Sequence, residues 1–408
     1  MTNDLSPFGR RWSGLLILSI AMLLSACATQ PDSTPPLSAV TAMAQPPSQR
    51  EDDAGANTCR EIARDLSHHD SAALNGKLDL RLILQQVFSA LDSQLLDATQ
   101  RQKLVAQLEE QIKSKLVENY GEDNWDMLRG YADGDRYLCL LRTDMSNQGV
   151  SYVEFDLRMV DGRMQIVDWI DLVQEQRVSE MFRELFGDIA TMLESSTKPA
   201  THYWELFTPQ ERLDFFEFLK AVRDQDSSRI FTAYDRLSWR FKQKPLYALL
   251  VVKAASAHGD GLYQKALKNF EQRFGGEDHY GILLIDLYVE ERRYEQAILG
   301  LKRFRDKVGA DPVIDILLAI IEREQGHSAS FYEHCLQAIN VNPNYVQTYW
   351  LLLDQLVADR HYDDAVLVLN VLTSMFNFAL SEHHFEADEK YQAFRKSEAF
   401  RAWALDRA

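Results

Sequence analysis

The chain has 408 residues, enough for two or three domains, and 46% apolar with 26% charged side chains, the usage of a globular protein. Aromatic residues at 11% exclude a disordered chain, and only 18 Gly and 11 Pro exclude collagen-like and long low-complexity sequence. A net charge of −17 opposes a nucleic-acid partner, because phosphate would be repelled over most of the surface.

Residues 1–26 have the parts of an export signal. Arg10 and Arg11 form a positive start, and Leu15–Leu24 is an apolar run too short to span ~30 Å of hydrocarbon as a helix. Ser25, Ala26 and Cys27 follow. The string Leu24-Ser25-Ala26-Cys27 resembles the lipobox of bacterial lipoproteins. The resemblance implies cleavage before Cys27, diacylglycerol on its thiol and a fatty acyl chain such as palmitate on the new amine. An ordinary cleaved signal with an incidental Cys27, or a short anchor, are the alternatives. The family's sorting rule retains proteins with Asp after the Cys in the inner membrane of Gram-negative bacteria. Ala28 stands here, which implies an outer-membrane lipoprotein facing the periplasm. An acidic body gains nothing from anionic lipid, so attachment rests on the acyl chains at Cys27. Residues 27–57, with Pro31, Pro35, Pro36, Pro46 and Pro47 among Ser, Thr, Ala and Gln, read as a flexible tether.

Residues 58–195 read as an α+β domain of helices plus an antiparallel sheet. Leu82, Ile83, Val87, Phe88 and Leu91 recur at helical spacing. Asp97, with Gln100 three residues on, reads as an N-cap opening a helix with Leu104, Val105, Leu108, Ile112 and Leu116 on one face. After Gly134 the period becomes two. Tyr137, Cys139 and Leu141 alternate, and Leu138 and Leu140 make the strand apolar on both faces. Val150–Val160 and Arg163–Ile170 flank Asp161-Gly162, the dipeptide suited to a two-residue hairpin turn because both positions need φ > 0. That turn predicts Val160 opposite Arg163, Leu157 opposite Ile166, Phe155 opposite Asp168 and Val153 opposite Ile170. Asp168 then stands as the one charged residue on an apolar face. It is either a pocket residue or a rim residue capping a neighbouring amide or Arg. A helix with Val178, Met181, Phe182, Leu185 and Phe186 follows. Helices followed by a curved antiparallel sheet resemble the nuclear-transport-factor-like and cystatin-like folds, which implies a pocket between sheet and helix.

Cys59, Cys139 and Cys335 remain beside Cys27. An exported protein can hold disulfides. Cys59 and Cys139 belong to one domain and are the pair to bridge; three buried thiols are the alternative. No CxxC or Cys/His ligand spacing occurs, so no zinc site is expected.

Residues 196–408 read as all-helical. Thr208-Pro209-Gln210-Glu211 is a capping box with Pro at the first helical position. Ala297, Phe331 and Ala365 are 34 residues apart, and the turns Glu291-Arg292-Arg293, Gln325-Gly326-His327 and Asp359-Arg360-His361 keep the same interval. The spacing, with packing positions such as Leu284, Leu301, Leu318, Ala338, Leu353 and Leu369, resembles degenerate tetratricopeptide repeats over roughly residues 246–376. The resemblance implies a helical-repeat solenoid closed by capping helices with Phe385, Tyr391, Phe394, Phe400 and Trp403. It also implies a groove lined by the first helix of each pair, at Ile282, Asp286, Val289, Glu290, Ile316, Ile320, Arg323, Glu324, Trp350, Asp354 and Val357. Trp350 beside carboxylates suits a protein or peptide partner; packing of Trp350 and the isoleucines on neighbouring helices is the alternative.

Phosphate-loop, dinucleotide, HExxH and nucleophile-elbow motifs are missing, so no catalytic residue, metal or cofactor is expected. His68-His69-Asp70 and His383-His384 lack a third ligand at suitable spacing. The expected function is a membrane-anchored envelope lipoprotein that scaffolds other proteins through the helical groove. The alternative is a small-molecule binding protein or enzyme using a pocket of the α+β domain, with Asp168 in it.

Overall fold

The computed structural model describes residues 49–68, 70–81, 83–84, 124–145, 149–197, 207–224, 226–256, 260–276, 278–386 and 388–405, with isolated positions between 99 and 109. The signal segment, Cys27, most of the stripe from Leu82 to Leu91 and the Asp97-capped helix lie outside the described residues. By internal contacts the chain divides into two units, Met1–Leu287 and Tyr288–Ala408. An antiparallel five-stranded sheet lies in the first, and the chain beyond the sheet is mostly helical.

Helix α1 (Gln49–Ser67) starts inside the stretch that composition assigns to the tether. The correction has a simple cause: Pro46 and Pro47 are the last prolines of that stretch, and Arg50, Glu51, Ala54 and Ala56 beyond them are compatible with helix. A short helix α2 (Ser71–Asn75) is capped by Asp70, whose carboxylate accepts from the Ala73 amide at 2.9 Å. The strands are β1 (Asn124–Asp133), β2 (Arg136–Met145), β3 (Gly149–Val160), β4 (Arg163–Asp171) and β5 (Gln176–Arg177), hydrogen-bonded in that order. β1 is an edge strand that the sequence pattern does not predict. Leu128 is an extra residue between the Met127–Leu141 and Arg129–Leu140 pairs, and this bulge breaks the alternation that would have marked it.

One sheet face carries Tyr137, Cys139, Leu141, Val153, Phe155, Leu157, Ile166 and Trp169, all buried. Helix α1 is joined to it at Cys59–Cys139, with Cα atoms 5.7 Å apart. Ser67 Oγ accepts from the Trp125 amide at 2.8 Å. A Cβ on Gly55 would come within 2.4 Å of the Tyr137 ring, so only glycine lets α1 approach this closely.

Asp161 and Gly162 take φ of 50° and 78°, as the hairpin turn requires. Pairing then runs as the turn sets it from Val160–Arg163 to Leu157–Ile166. There it slips: Val167 is an extra residue, Asp156 faces Asp168, and Phe155 faces Trp169. The expected Phe155–Asp168 pair is therefore corrected. The slip sits where residues 77–79 join β4 in parallel, Ile166 N–H donating to the Lys77 carbonyl at 2.7 Å and the Asp79 amide donating to the Ile166 carbonyl at 2.8 Å. A bulge exchanges the faces of every later residue. Trp169 turns into the core and Asp168 out of it.

The first unit continues with helix α3 (Val178–Thr197), whose stripe Val178, Met181, Phe182, Leu185, Phe186 and Ile189 is buried. Helix α4 (Pro209–Arg223) opens with the capping box: Thr208 Oγ1 accepts from the Glu211 amide at 3.1 Å, and Glu211 Oε2 accepts from the Thr208 amide at 2.8 Å. Helices α5 (Ser227–Arg236), α6 (Trp239–Lys242), α7 (Pro245–Ser256) and α8 (Asp260–Phe274) come next. Phe215, Phe218, Phe241 and Tyr247 form their aromatic core.

The division between units falls within α9 (Ile285–Glu290). The second unit holds α10 (Tyr294–Val308), α11 (Pro312–Glu324), α12 (Ser328–Val341), α13 (Val346–Ala358) and α14 (Tyr362–Ser374). Three tight turns in it share one geometry. Arg292, Gly326 and Arg360 have φ of 57°, 76° and 62°. The next residue, Arg293, His327 or His361, has ψ of 56°, 68° or 64°, and its amide donates to the carbonyl five residues back, at 2.6, 2.9 and 2.8 Å. Helices α15 (Gln392–Arg395) and α16 (Glu398–Leu405) close the unit, with Phe385, Tyr391, Phe394, Phe400 and Trp403 buried against Leu369 and Leu372.

Candidate functional site

Asp168 is buried at the junction of β4, β5 and α3. Its Oδ1 accepts from the amides of Trp169 (2.9 Å) and Ser179 (3.2 Å). Its Oδ2 accepts from Ser179 Oγ at 2.6 Å and faces Arg177 Nη1 at 3.5 Å. The carboxylate thus satisfies free donors of the first turn of α3. Every contact holds backbone or a neighbouring side chain, so the residue works as a cap and an ion-pair partner.

Across the bulge stands Asp156, 3% exposed. Three guanidinium groups surround it: Arg136 at 3.5 Å, Arg158 at 3.7 Å and Arg177 at 3.8 Å. Burial raises its carboxyl above the ordinary range, and Arg136, Arg158 and Arg177 oppose the rise. Asp156 Oδ1 and Arg158 Nε make no hydrogen bond, although they lie 3.7 Å apart. Three arginines and two aspartates from four strands therefore form a charge cluster on one sheet face, beside an open cleft near the β1–β2 turn. Of this set, only Asp168 stands out in the sequence. Arg136, Asp156 and Arg158 carry no signal there beyond alternation along their strands.

A second buried pair lies farther along β4. Asp171 Oδ1 accepts from the amides of Val173 (2.9 Å) and Gln174 (3.2 Å), while Oδ2 is buried without a partner. Lys253 Nζ on α7 is likewise buried and unpartnered. Burial raises the Asp171 carboxyl to about 8, partly offset by those amides and by Lys253. Burial holds Lys253 well below the usual amine range, against the pull of Asp171. On α3, Asp188 accepts from Lys244 Nζ at 2.6 Å and from the Tyr247 hydroxyl.

The expected groove residues fall in both units. In the first, Ile282 is half-buried and Asp286 accepts from the Tyr263 hydroxyl at 3.2 Å. In the second, Glu290 and Glu324 are exposed, Ile320 and Arg323 are half-buried, and Ile316 and Val357 lie in the core. Trp350 packs edge-on against Phe378, ring centroids 5.6 Å apart. Asp354 accepts from Lys390 Nζ at 3.1 Å and from the Tyr391 hydroxyl. The chain's own C-terminal segment therefore occupies two of the three α13 residues that the sequence offered to a partner, and the third, Val357, lies in the core.

Cys335 is a buried free thiol, pushed by burial to about 12. His383 pairs with Glu386 at 3.0 Å and His384 with Ser381. Among the described residues no three His, Cys, Asp or Glu side chains come together as a metal site, and no helix is long and apolar enough to cross a membrane. Searches against known protein families, curated proteins and solved structures match nothing to this chain, so its functional reading rests on the residues themselves.

Proposed function

We propose that the protein is an envelope lipoprotein, held by an acylated Cys27 on the periplasmic face of an outer membrane, whose C-terminal helices are tetratricopeptide-like hairpins that scaffold other proteins. The observation that carries the scaffold is the 34-residue recurrence of one turn through Arg292, Gly326 and Arg360. A fixed interval in backbone conformation, with Ala297, Phe331, Cys335, Ala338 and Ala365 buried between the helices, is what a stack of equivalent helical pairs requires. The anchor rests on the ordered series Arg10-Arg11, Leu15–Leu24 and Leu24-Ser25-Ala26-Cys27. Partner contacts are assigned to Glu290, Ile320, Arg323 and Glu324, since Trp350 and Asp354 are engaged by Phe378, Lys390 and Tyr391.

A photo-crosslinking amino acid at Ile320 or Glu324, expressed in a Gram-negative host, tests the scaffold. One recurrent protein covalently attached at both positions, and not at exposed Glu398 on α16, is the expected result. Absence of any attached protein overturns the scaffold. Incorporation of labelled palmitate that disappears in Cys27→Ser tests the anchor separately.

A further inference from the structure

We infer that the cleft beside the β1–β2 turn binds a small amphipathic anion, a carboxylate joined to a flat apolar group, with Arg136 and Arg158 taking the carboxylate and Met159 and Met164 the apolar part. This site is independent of the scaffold reading. The cleft holds about 310 Å³ and is open to solvent. That is at the small end of ligand pockets, about 300–1,000 Å³.

Arg136 and Arg158 are directly opposed on β2 and β3 and both line the cleft. Two cations in register repel unless carboxylates stand by them. Asp156 supplies one from beneath, buried and within 3.7 Å of both. The other carboxylates come from the rim. Asp133 pairs with Arg136, and Asp135 meets Arg158 Nη1 at 3.2 Å. Asp135 is 80% exposed. An exposed pair of this kind contributes about 0–1 kcal/mol, so a bound carboxylate can take its place. Each guanidinium has five N–H donors in a fork that fits a carboxylate edge, and the Arg158 side chain is 40% exposed.

The apolar half is as specific. Met159 faces Met164 across the end of the β3–β4 hairpin, and Met159 is 50% exposed. Tyr137 lines the same cleft. Thioethers mould to flat rings and favour aromatic contact. Exposed methionine beside paired arginines has no role in the sheet's own core, where Leu157 and Ile166 already fill the adjoining layer.

The test uses the full chain as its lipid-free Cys27→Ser form, with 2-naphthoate as the probe and 2-naphthylmethanol as its neutral counterpart. Binding is followed by isothermal titration and by the methyl NMR signals of ¹³C-methionine. Naphthoate is expected to shift the Met159 and Met164 methyls and to bind at least about tenfold tighter than the alcohol, the factor for one charge-assisted contact. Asp135→Asn frees Arg158 and is expected to tighten naphthoate about threefold while leaving the alcohol unchanged. Arg158→Ala is expected to abolish the preference for the acid. Equal binding of acid and alcohol, no binding of naphthoate up to its solubility, shifts confined to other methionines, or an Asp135→Asn variant with unaltered naphthoate affinity each overturn the assignment.

Discussion

Replacing Asp168 separates a cap from a pocket residue. In Asp168→Ala the Ser179 amide and hydroxyl, buried with their residue, lose their acceptor, and Arg177 keeps only Asp156 at 3.8 Å. Loss of a helix cap costs about 1 kcal/mol. A stranded buried donor costs about 1–3 kcal/mol, at the low end here because the site lies close to solvent. The sum is about 2 kcal/mol. Asp168→Asn retains an oxygen for the two amides but turns an NH₂ toward Ser179 Oγ and Arg177, so about 1 kcal/mol is expected. Urea unfolding of the lipid-free protein, with hydrogen exchange of the Trp169–Phe182 peptide, reads both variants. Exchange through opening of the first turn of α3 should accelerate about 30-fold in Asp168→Ala, corresponding to about 2 kcal/mol. An Asp168→Ala variant within about 0.5 kcal/mol of the parent would refute the capping argument and return Asp168 to the role of an unattached pocket group.

The turn geometry makes a second prediction. Arg292 and Arg360 hold φ > 0, a conformation that costs a residue with a Cβ about 1–2 kcal/mol, against about 0.5–1 kcal/mol of extra chain entropy lost by glycine. Arg360→Gly should stabilise by about 0.5–1 kcal/mol and Gly326→Ala destabilise by about 1 kcal/mol, both read from thermal midpoints. Asp171 and Lys253 give opposite pH slopes. Between an unfolded carboxyl near ~4 and a folded one of about 8, the folded chain keeps a proton that the unfolded chain releases, so stability falls as pH rises. Asp171→Asn removes that fall, and its advantage over the parent should grow from pH 4 to 8 in urea midpoints. Lys253 is held low, so the unfolded chain binds the extra proton. Stability then rises with pH, and Lys253→Met should gain most in acid. A pH-independent difference for either variant would contradict a neutral buried pair. Changing both Cys59 and Cys139 to Ser opens a loop with a sequence separation of 80 and should cost about 3–4 kcal/mol, visible as a lowered melting temperature that reducing agent no longer affects.

Local chemistry is legible in the sequence. Asp161-Gly162 sets the turn, and Thr208 with Glu211 sets a cap, because each depends on residues within four positions. The 34-residue interval seen in the sequence falls at the turns through Arg292, Gly326 and Arg360, which all hold positive φ. The Phe155–Asp168 pairing fails because a period of two counts residues and cannot see an insertion. Val167 is displaced where residues 77–79, some ninety positions earlier, bind Ile166. β1 is invisible for the same reason at Leu128. Trp350 and Asp354 look open because their helix gives no sign of Phe378, Lys390 and Tyr391 returning to them. Asp156 escapes notice because an acidic residue on a polar strand face is ordinary; only Arg136 and Arg177, brought in by neighbouring strands, make it a buried charge.

The covalent link from Cys59 to Cys139 also settles how the fold responds to force. Tension applied to the chain before Cys59 passes through sulfur straight into the second strand, which is hydrogen-bonded on both edges. Residues 60–138 are bypassed and bear no load, so the part of the first helix beyond Cys59 cannot be peeled from the sheet by such a pull. A pull on the chain ahead of Cys59 would open other contacts before this joint.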